Sequence, residues 1–205
     1  PCCETVQLES IGDVLTVSFS TRTLLFSNKV ATDGIGDNFK ISVTLTDLIN
    51  SLFCIVSDLE ITVENSALVL SEGLKFRCVI RSIFDPLIVS PILANPELSF
   101  TLDAEVLATG FSQCEGTTIS FRAQTRDILS PIIELYSERN GTRVKFPYNL
   151  ACEIRGGSDV IEFSLSGKDC GFLLSFLVGK CQLRVAPNGI EFSRNGTAKL
   201  ILASI

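Results

Sequence analysis

The 205-residue sequence contains no His, no Met and no Trp, and aromatic residues make up only 8% of it. Without His, the usual general base and the commonest metal ligand are both missing. Eight cysteines are present, namely Cys2, Cys3, Cys54, Cys78, Cys114, Cys152, Cys170 and Cys181, but none forms a C-x-x-C pair. The adjoining Cys2 and Cys3 cannot offer the geometry of a zinc knuckle. Cysteines scattered in this way read as small buried hydrophobes in a reducing compartment. With no His nearby, they lack an obvious activating base. No apolar run approaches the roughly 18 residues needed to span a bilayer. No basic segment with an apolar core opens the chain, so nothing reads as a secretory signal. No glycine-rich phosphate loop precedes a helix, since RGGSDV at 155–160 stands before a strand. Carboxylates spaced like Asp103 and Glu105 diverge on a helix, which disfavours a catalytic dyad. These absences point to a protein that is not an enzyme and that uses no cofactor and no metal.

What is present is globular: hydrophobic residues are 46% and charged residues 20% of the chain. The net charge of −6 argues against a wholly basic nucleic-acid coat, while leaving room for a local basic lining. Most of the sequence alternates with period two, the mark of half-buried strands. VLTVSFS, TLLFS, FKISVTL, LEITVEN, SALVLS and LKFRCVIRS come first; TTISFRA, IIELYS, NLACEI, VIEFSLS, CQLRVA, GIEFS and AKLILAS follow later. The sequons Asn140-Gly141-Thr142 and Asn195-Gly196-Thr197 read better as tight turns than as glycan sites.

Four short segments break the alternation. CCETVQLES carries a fragmentary helical face with Val6 beside Cys2 and Cys3. TDLINSLFCI puts Leu48, Leu52 and Ile55 on one side, with Thr46 as the expected cap. DAEVLATGFSQ aligns Val106, Leu107 and Phe111 behind Asp103 as cap. KDCGFLLSFL aligns Phe172, Leu173, Phe176 and Leu177. None exceeds about three turns, so each needs a sheet to pack on. Between Asp85 and Glu97 stands DPLIVSPILANPE, whose prolines cannot donate within a ladder, which makes it a connector.

The chain then repeats itself. VTLTDLINSLF matches FSLSGKDCGFLLSFL, and ALVLS matches GIEFS, at an offset near 120 residues, too long for a solenoid period. The expected fold class is therefore α+β: two tandem similar domains, each a curved antiparallel sheet with two short helices. Residues 1–84 form the first domain, 85–97 the connector and 98–205 the second domain.

Two such domains joined by a proline-bearing connector resemble a eukaryotic or archaeal DNA sliding clamp. DNFKISVTLTDLINSLFC (Asp37–Cys54) is similar to the strand and second helix of the first domain of proliferating cell nuclear antigen. PELSFTLDAEVLATGF (Pro96–Phe111) resembles that family's entry into its second domain, and SIGDVLTVSFS (Ser10–Ser20) the end of a clamp helix with its next strand. Within the superfamily, VIEFSLSGKDCGFLLSFL and the closing KLILASI are most similar to a subunit of the heterotrimeric DNA-damage checkpoint clamp, the Rad-nine, Hus-one and Rad-one set, and to Rad-nine among them.

The resemblance implies a ring that encircles duplex DNA without sequence specificity, works in the nucleus, is placed by a clamp loader and docks client peptides. Lys168 and Lys180 flank the last helix and are the expected DNA-facing cations. The segments 46–55 and 103–113 carry no basic residue. A heterotrimer could draw its positive lining from two other subunits, which favours the checkpoint reading over a homotrimeric replicative clamp. Leu87, Ile88, Val89, Ile92 and Leu93 on the connector are the expected wall of the client groove. Open strand edges for ring closure are expected at LKFRCVI, with Lys75, Phe76 and Arg77, and at NLACEI, with Leu150 and Cys152. No contact with a membrane is expected. From another class, a secreted, disulfide-bonded β-domain that binds a receptor or a lipid is the competing reading.

Overall fold

The computed structural model describes residues 5–33, 37–83, 91–114, 116–124, 132–147, 153–154, 159–176 and 178–205. The chain divides into two compact units, Pro1–Thr21 with Phe26–Val89, and Arg22–Leu25 with Ser90–Ile205.

The first unit runs β1 (Thr5–Ile11), β2 (Val14–Ser20), β3 (Leu24–Ala31), β4 (Phe39–Thr44), α1 (Leu45–Leu52), β5 (Glu60–Glu64), β6 (Ala67–Glu72) and β7 (Phe76–Arg81), with the first two residues of β3 counted in the second unit. Its strands are ordered β3-β2-β1-β4 and β5-β6-β7. Alternation drives the first group: Val6 and Leu8 are buried while Thr5, Gln7 and Glu9 are half-exposed, and β1 pairs antiparallel with both β2 and β4. The β5–β6 hairpin closes on Asn65 and Ser66, at φ +48° and +62°. Asn tolerates that left-handed region better than most residues, and two such positions in a row match the twist of the flanking strands. The core joins Val6, Leu8, Ile41 and Val43 to Leu48 of α1 and to Leu68, Leu70 and Ile80 of the meander.

The second unit continues with β8 (Leu98–Asp103), α2 (Ala104–Gln113), β9 (Thr118–Gln124), β10 (Ile132–Ser137), β11 (Arg143–Pro147), β12 (Glu153–Ile154), β13 (Val160–Ser166), α3 (Gly167–Phe176), β14 (Lys180–Ala186), β15 (Gly189–Arg194) and β16 (Ala198–Ala203). Its strands are ordered β11-β10-β9-β13 and β12-β8-β14-β15-β16. Inward-facing Ile119, Phe121, Leu135, Ile161 and Leu165 are buried, and the Phe121 and Phe163 rings stack across paired strands at 5.0 Å. Within this unit the Ala203 amide donates to the Thr23 carbonyl at 2.8 Å, so β16 has the start of β3 beside it.

The two units repeat one plan. The order β3-β2-β1-β4 recurs as β11-β10-β9-β13, and the meander β5-β6-β7 recurs as β14-β15-β16. Thr44 and Ser166, which end the strands before α1 and α3, stand 122 residues apart, as do Ala67 and Gly189 opening β6 and β15, and Phe76 and Ala198 opening β7 and β16. Each helix is short and starts where its strand stops. The fold is α+β, antiparallel sheets with few short helices.

Two local expectations need correction. Residues 5–11 form a strand, not a helical face, because Val6, Leu8 and Ser10 alternate at period two and find partners on both sides. The cap of α1 is Thr44 rather than Thr46: its hydroxyl accepts from the Asp47 amide at 3.2 Å and donates to the Asp47 carboxylate at 2.6 Å. The polar residue that ends the strand also begins the helix.

Candidate assembly and docking surfaces

The helices carry little positive charge. α1 and α2 have no basic residue, and α3 has Lys168 alone, against Asp47, Glu105 and Asp169. Asp103 caps α2 by accepting from the Glu105 amide, and Ser166 Oγ accepts from the Asp169 amide at the start of α3. Lys168 is exposed in the first turn of α3. Lys180 is exposed at the start of β14, in register with Asp103. Exposed apolar residues on the helices include Ile49 and Leu52 of α1, Val106 of α2 and Leu174 of α3.

The connector is described from Pro91 onward; Leu87, Ile88 and Val89 lie outside the described residues. Asn188, in the β14–β15 turn, grips it twice: Oδ1 accepts from the Ala94 amide at 2.8 Å, and Nδ2 donates to the Ile92 carbonyl at 2.9 Å. The Glu97 amide donates to the Val185 carbonyl at 2.9 Å. The two apolar residues part company here. Leu93 is half-buried, and a Cβ on Gly189 would come within 2.7 Å of its Cδ2 and 2.3 Å of the Leu202 carbonyl oxygen. Gly189, at φ +152°, is thus the seat that lets the connector approach the sheet. Ile92 is 86% exposed.

A second apolar surface was missed by the sequence reading. Phe53 and Val56 follow α1 at 83% and 92% exposure, and Leu74 tops the β6–β7 turn, fully exposed. Glu72 ties these segments together, accepting from the Val56 amide at 3.1 Å and from the Ser57 hydroxyl. Those two hydrogen bonds hold its carboxyl below the ordinary value. Only the charged pattern around Glu72, not any periodicity, could have flagged this contact.

Lys75 is exposed in the turn before β7, and Phe76 and Arg77 open that strand, half-buried and exposed respectively. Among the described residues β7 has β6 as its one strand neighbour. Arg77 reaches across the sheet to Glu64 at 2.8 Å. Leu150 and Cys152 lie outside the described residues. One end of the β11-β10-β9-β13 group is β11, whose RVKFP is too short before its proline to stand out as an alternating run. Arg143 of β11 pairs with Glu134 at 2.9 Å and lies over the Tyr136 ring at 5.3 Å.

Cys54, Cys78, Cys114, Cys170 and Cys181 are free thiols. Burial pushes the Cys181 thiol up to about 11, helped by the nearby Asp103 charge, and burial raises Cys114 and, further still, Cys170. Such thiols stay protonated at neutral pH and are poor nucleophiles. No group of three or more Cys, Asp and Glu among the described residues could hold a metal ion.

The fold is shared with solved sliding clamps. The chain is similar to the beta clamp of Helicobacter pylori (TM-score 0.82, 9% identity, 98% of this chain and 57% of that one). It is similar also to the DNA polymerase III beta subunits of Pseudomonas aeruginosa (TM-score 0.78, 13% identity, 100% and 58%) and Thermotoga maritima (TM-score 0.75, 14% identity, 98% and 56%). The Helicobacter pylori clamp is matched also in a structure bound to a DNA ligase peptide. The chain spans a little over half the length of these clamps. No protein-family model matches it, and neither does any curated protein.

Proposed function

We propose that this chain is a non-enzymatic subunit of a ring-shaped DNA sliding clamp, of the DNA-damage checkpoint type, in which it joins two other subunits around duplex DNA. One observation carries the reading. Within the second unit β16 has the start of β3 beside it, and the counterparts of these two strands, β7 and β11, each end a sheet among the described residues. A molecule that repeats one plan and leaves the repeat's own pairing unmade at both outer strands is suited to continue that pairing with further subunits.

In this reading residues 1–84 and 98–205 act as the two clamp domains and 85–97 as the connector. The helices turn toward phosphate with Lys168 and Lys180 as the cations this subunit contributes. Two lysines are a thin lining for a polyanion, which favours a mixed ring whose other members supply more. A clamp loader would open the ring, and repair or checkpoint proteins would dock on the connector, Ile92 outermost. Such work belongs in the nucleus. The subunit itself does no chemistry.

The test is topological. Purified with candidate partner subunits and loaded on closed circular DNA, the chain should resist a high-salt wash and slide off once the circle is cut. Retention that does not change on linearisation would remove the ring. A ring assembled from this chain alone would replace the checkpoint reading by the homotrimeric replicative one.

A further inference from the structure

Charge sets apart β7 and β11, two of the strands that end a sheet among the described residues. The chain has net charge −6, yet β7 (FRCVIR) carries Arg77 and Arg81 and β11 (RVKFP) carries Arg143 and Lys145, with no acidic residue on either. All four are exposed. Register puts each pair on one face: Arg77 stands opposite Ser71 and Arg81 opposite Ala67, while Arg143 stands opposite Tyr136 and Lys145 opposite Glu134. The equivalent strand that has found its neighbour is different. β16 carries one cation, Lys199, and Glu191 engages it at 2.7 Å.

The repeat gives the geometry of a self-made ring. Ala203, beside Thr23, corresponds to Arg81 at the 122-residue offset, and β3, which begins at the next residue, corresponds in strand order to β11. A second copy docking by the same pairing would set β7, with Arg77 and Arg81, beside β11, with Arg143 and Lys145. Like charges directly across a strand pair are destabilising, and opposite charges stabilise. Glu64 and Glu134 partly neutralise Arg77 and Arg143 from within their own sheets. They leave no carboxylate on the joining strands.

We propose that both open edges select an acidic edge strand of a different clamp-fold chain, and that their matching positive charge keeps this chain from closing a ring with itself. This rests on the ring reading and adds the chemistry of the partner: each neighbouring subunit presents a strand with Asp or Glu on the face that meets Arg77 and Arg81, or Arg143 and Lys145. Specificity of this kind uses repulsion against the wrong partner as much as attraction to the right one.

Reversing one edge tests it. Sedimentation of the full chain at low salt should give a monomer for the wild type. The double variant Arg77→Glu, Arg81→Glu should self-associate, as should Arg143→Glu, Lys145→Glu on the other edge, each at least about tenfold more tightly than the wild type. Combining all four changes should restore the monomer, and raised salt should weaken the two-residue variants. The two edges belong to different sheets, so a folding failure in one variant leaves the other informative, with far-ultraviolet circular dichroism as the check. Wild-type self-assembly at the same concentration overturns the proposal, and so do monomeric, folded edge variants. If the variants assemble but their assemblies leave circular and linear DNA equally fast, the ring reading falls while the edge chemistry stands. If the wild type assembles alone and is held by circles only, the reverse holds.

Discussion

The hydroxyl of Thr23 donates to the carboxylate of Asp169 at 2.6 Å, joining residues 146 positions apart in the chain. Asp169 is buried in the first turn of α3, where its own amide donates to Ser166 Oγ. The bond therefore ties the helix start to the residue just before β3 whose carbonyl receives the Ala203 amide. A hydrogen bond to a buried charge is worth about 1.5–3 kcal/mol. Asp169→Ala should lower unfolding free energy by about that much in a urea titration, and Asp169→Asn by less, since the amide oxygen still accepts. Equal loss from both substitutions would assign the effect to packing rather than to the bond.

How much of this was legible beforehand varies with how local the signal is. The meanders were, because alternation is written into LEITVEN, SALVLS and GIEFS, and the repeat could be aligned from them. Asp103 was readable as a cap since a carboxylate before an apolar helical face has little else to do. Residues 5–11 misled, because Val6 stands at helical spacing from Cys2 and Cys3 as well as at strand spacing from Leu8. β11 was passed over: Arg143-Val144-Lys145-Phe146 alternates, but over only four residues before a proline, and pairing with β10 makes it a strand. The opposite fates of Ile92 and Leu93 depend on Asn188 and Gly189, nearly a hundred residues away, and no local pattern holds that information.

Glu72 should make stability depend on pH. Hydrogen bonds from Ser57 and Val56 depress its carboxyl below the ordinary 4.5. A carboxyl depressed in the native state contributes stability that is complete above the unfolded value and lost as pH falls through the lower native one. The difference in melting temperature between wild type and Glu72→Gln should hence be widest above about pH 5 and close as the pH drops below the ordinary carboxylate range. A gap that stays constant through acid would mean that the loop at Val56 and Ser57 is held by something else.

Thiol accessibility should follow burial. Cys54 is exposed, whereas Cys114, Cys170 and Cys181 are buried, with thiols raised by desolvation. Iodoacetamide at pH 8 should label Cys54 in the folded chain and reach those three only when denaturant is added. Peptide mass mapping of both samples reads the result. Early labelling of Cys181 would contradict its place against the sheet.

Ile92 and Leu93 are adjacent, and substitution should separate what the connector does for the fold from what it offers a partner. Leu93 packs at Gly189, and burying a carboxylate there is costly, so Leu93→Asp should destabilise the chain by about 2–4 kcal/mol. Ile92, 86% exposed, loses almost nothing on becoming Asp, about 0.5 kcal/mol or less. Under the clamp reading Ile92 is the residue a client peptide meets, so Ile92→Asp should abolish capture of a hydrophobic client peptide while leaving the urea midpoint in place. Asn188→Ala sits between the two: losing both grips on Ile92 and Ala94 frees the connector, which should be cut faster by a broad-specificity protease while the sheet stays protected. Client capture that survives Ile92→Asp would move the docking site off the connector, toward the exposed Phe53, Val56 and Leu74 of the first unit.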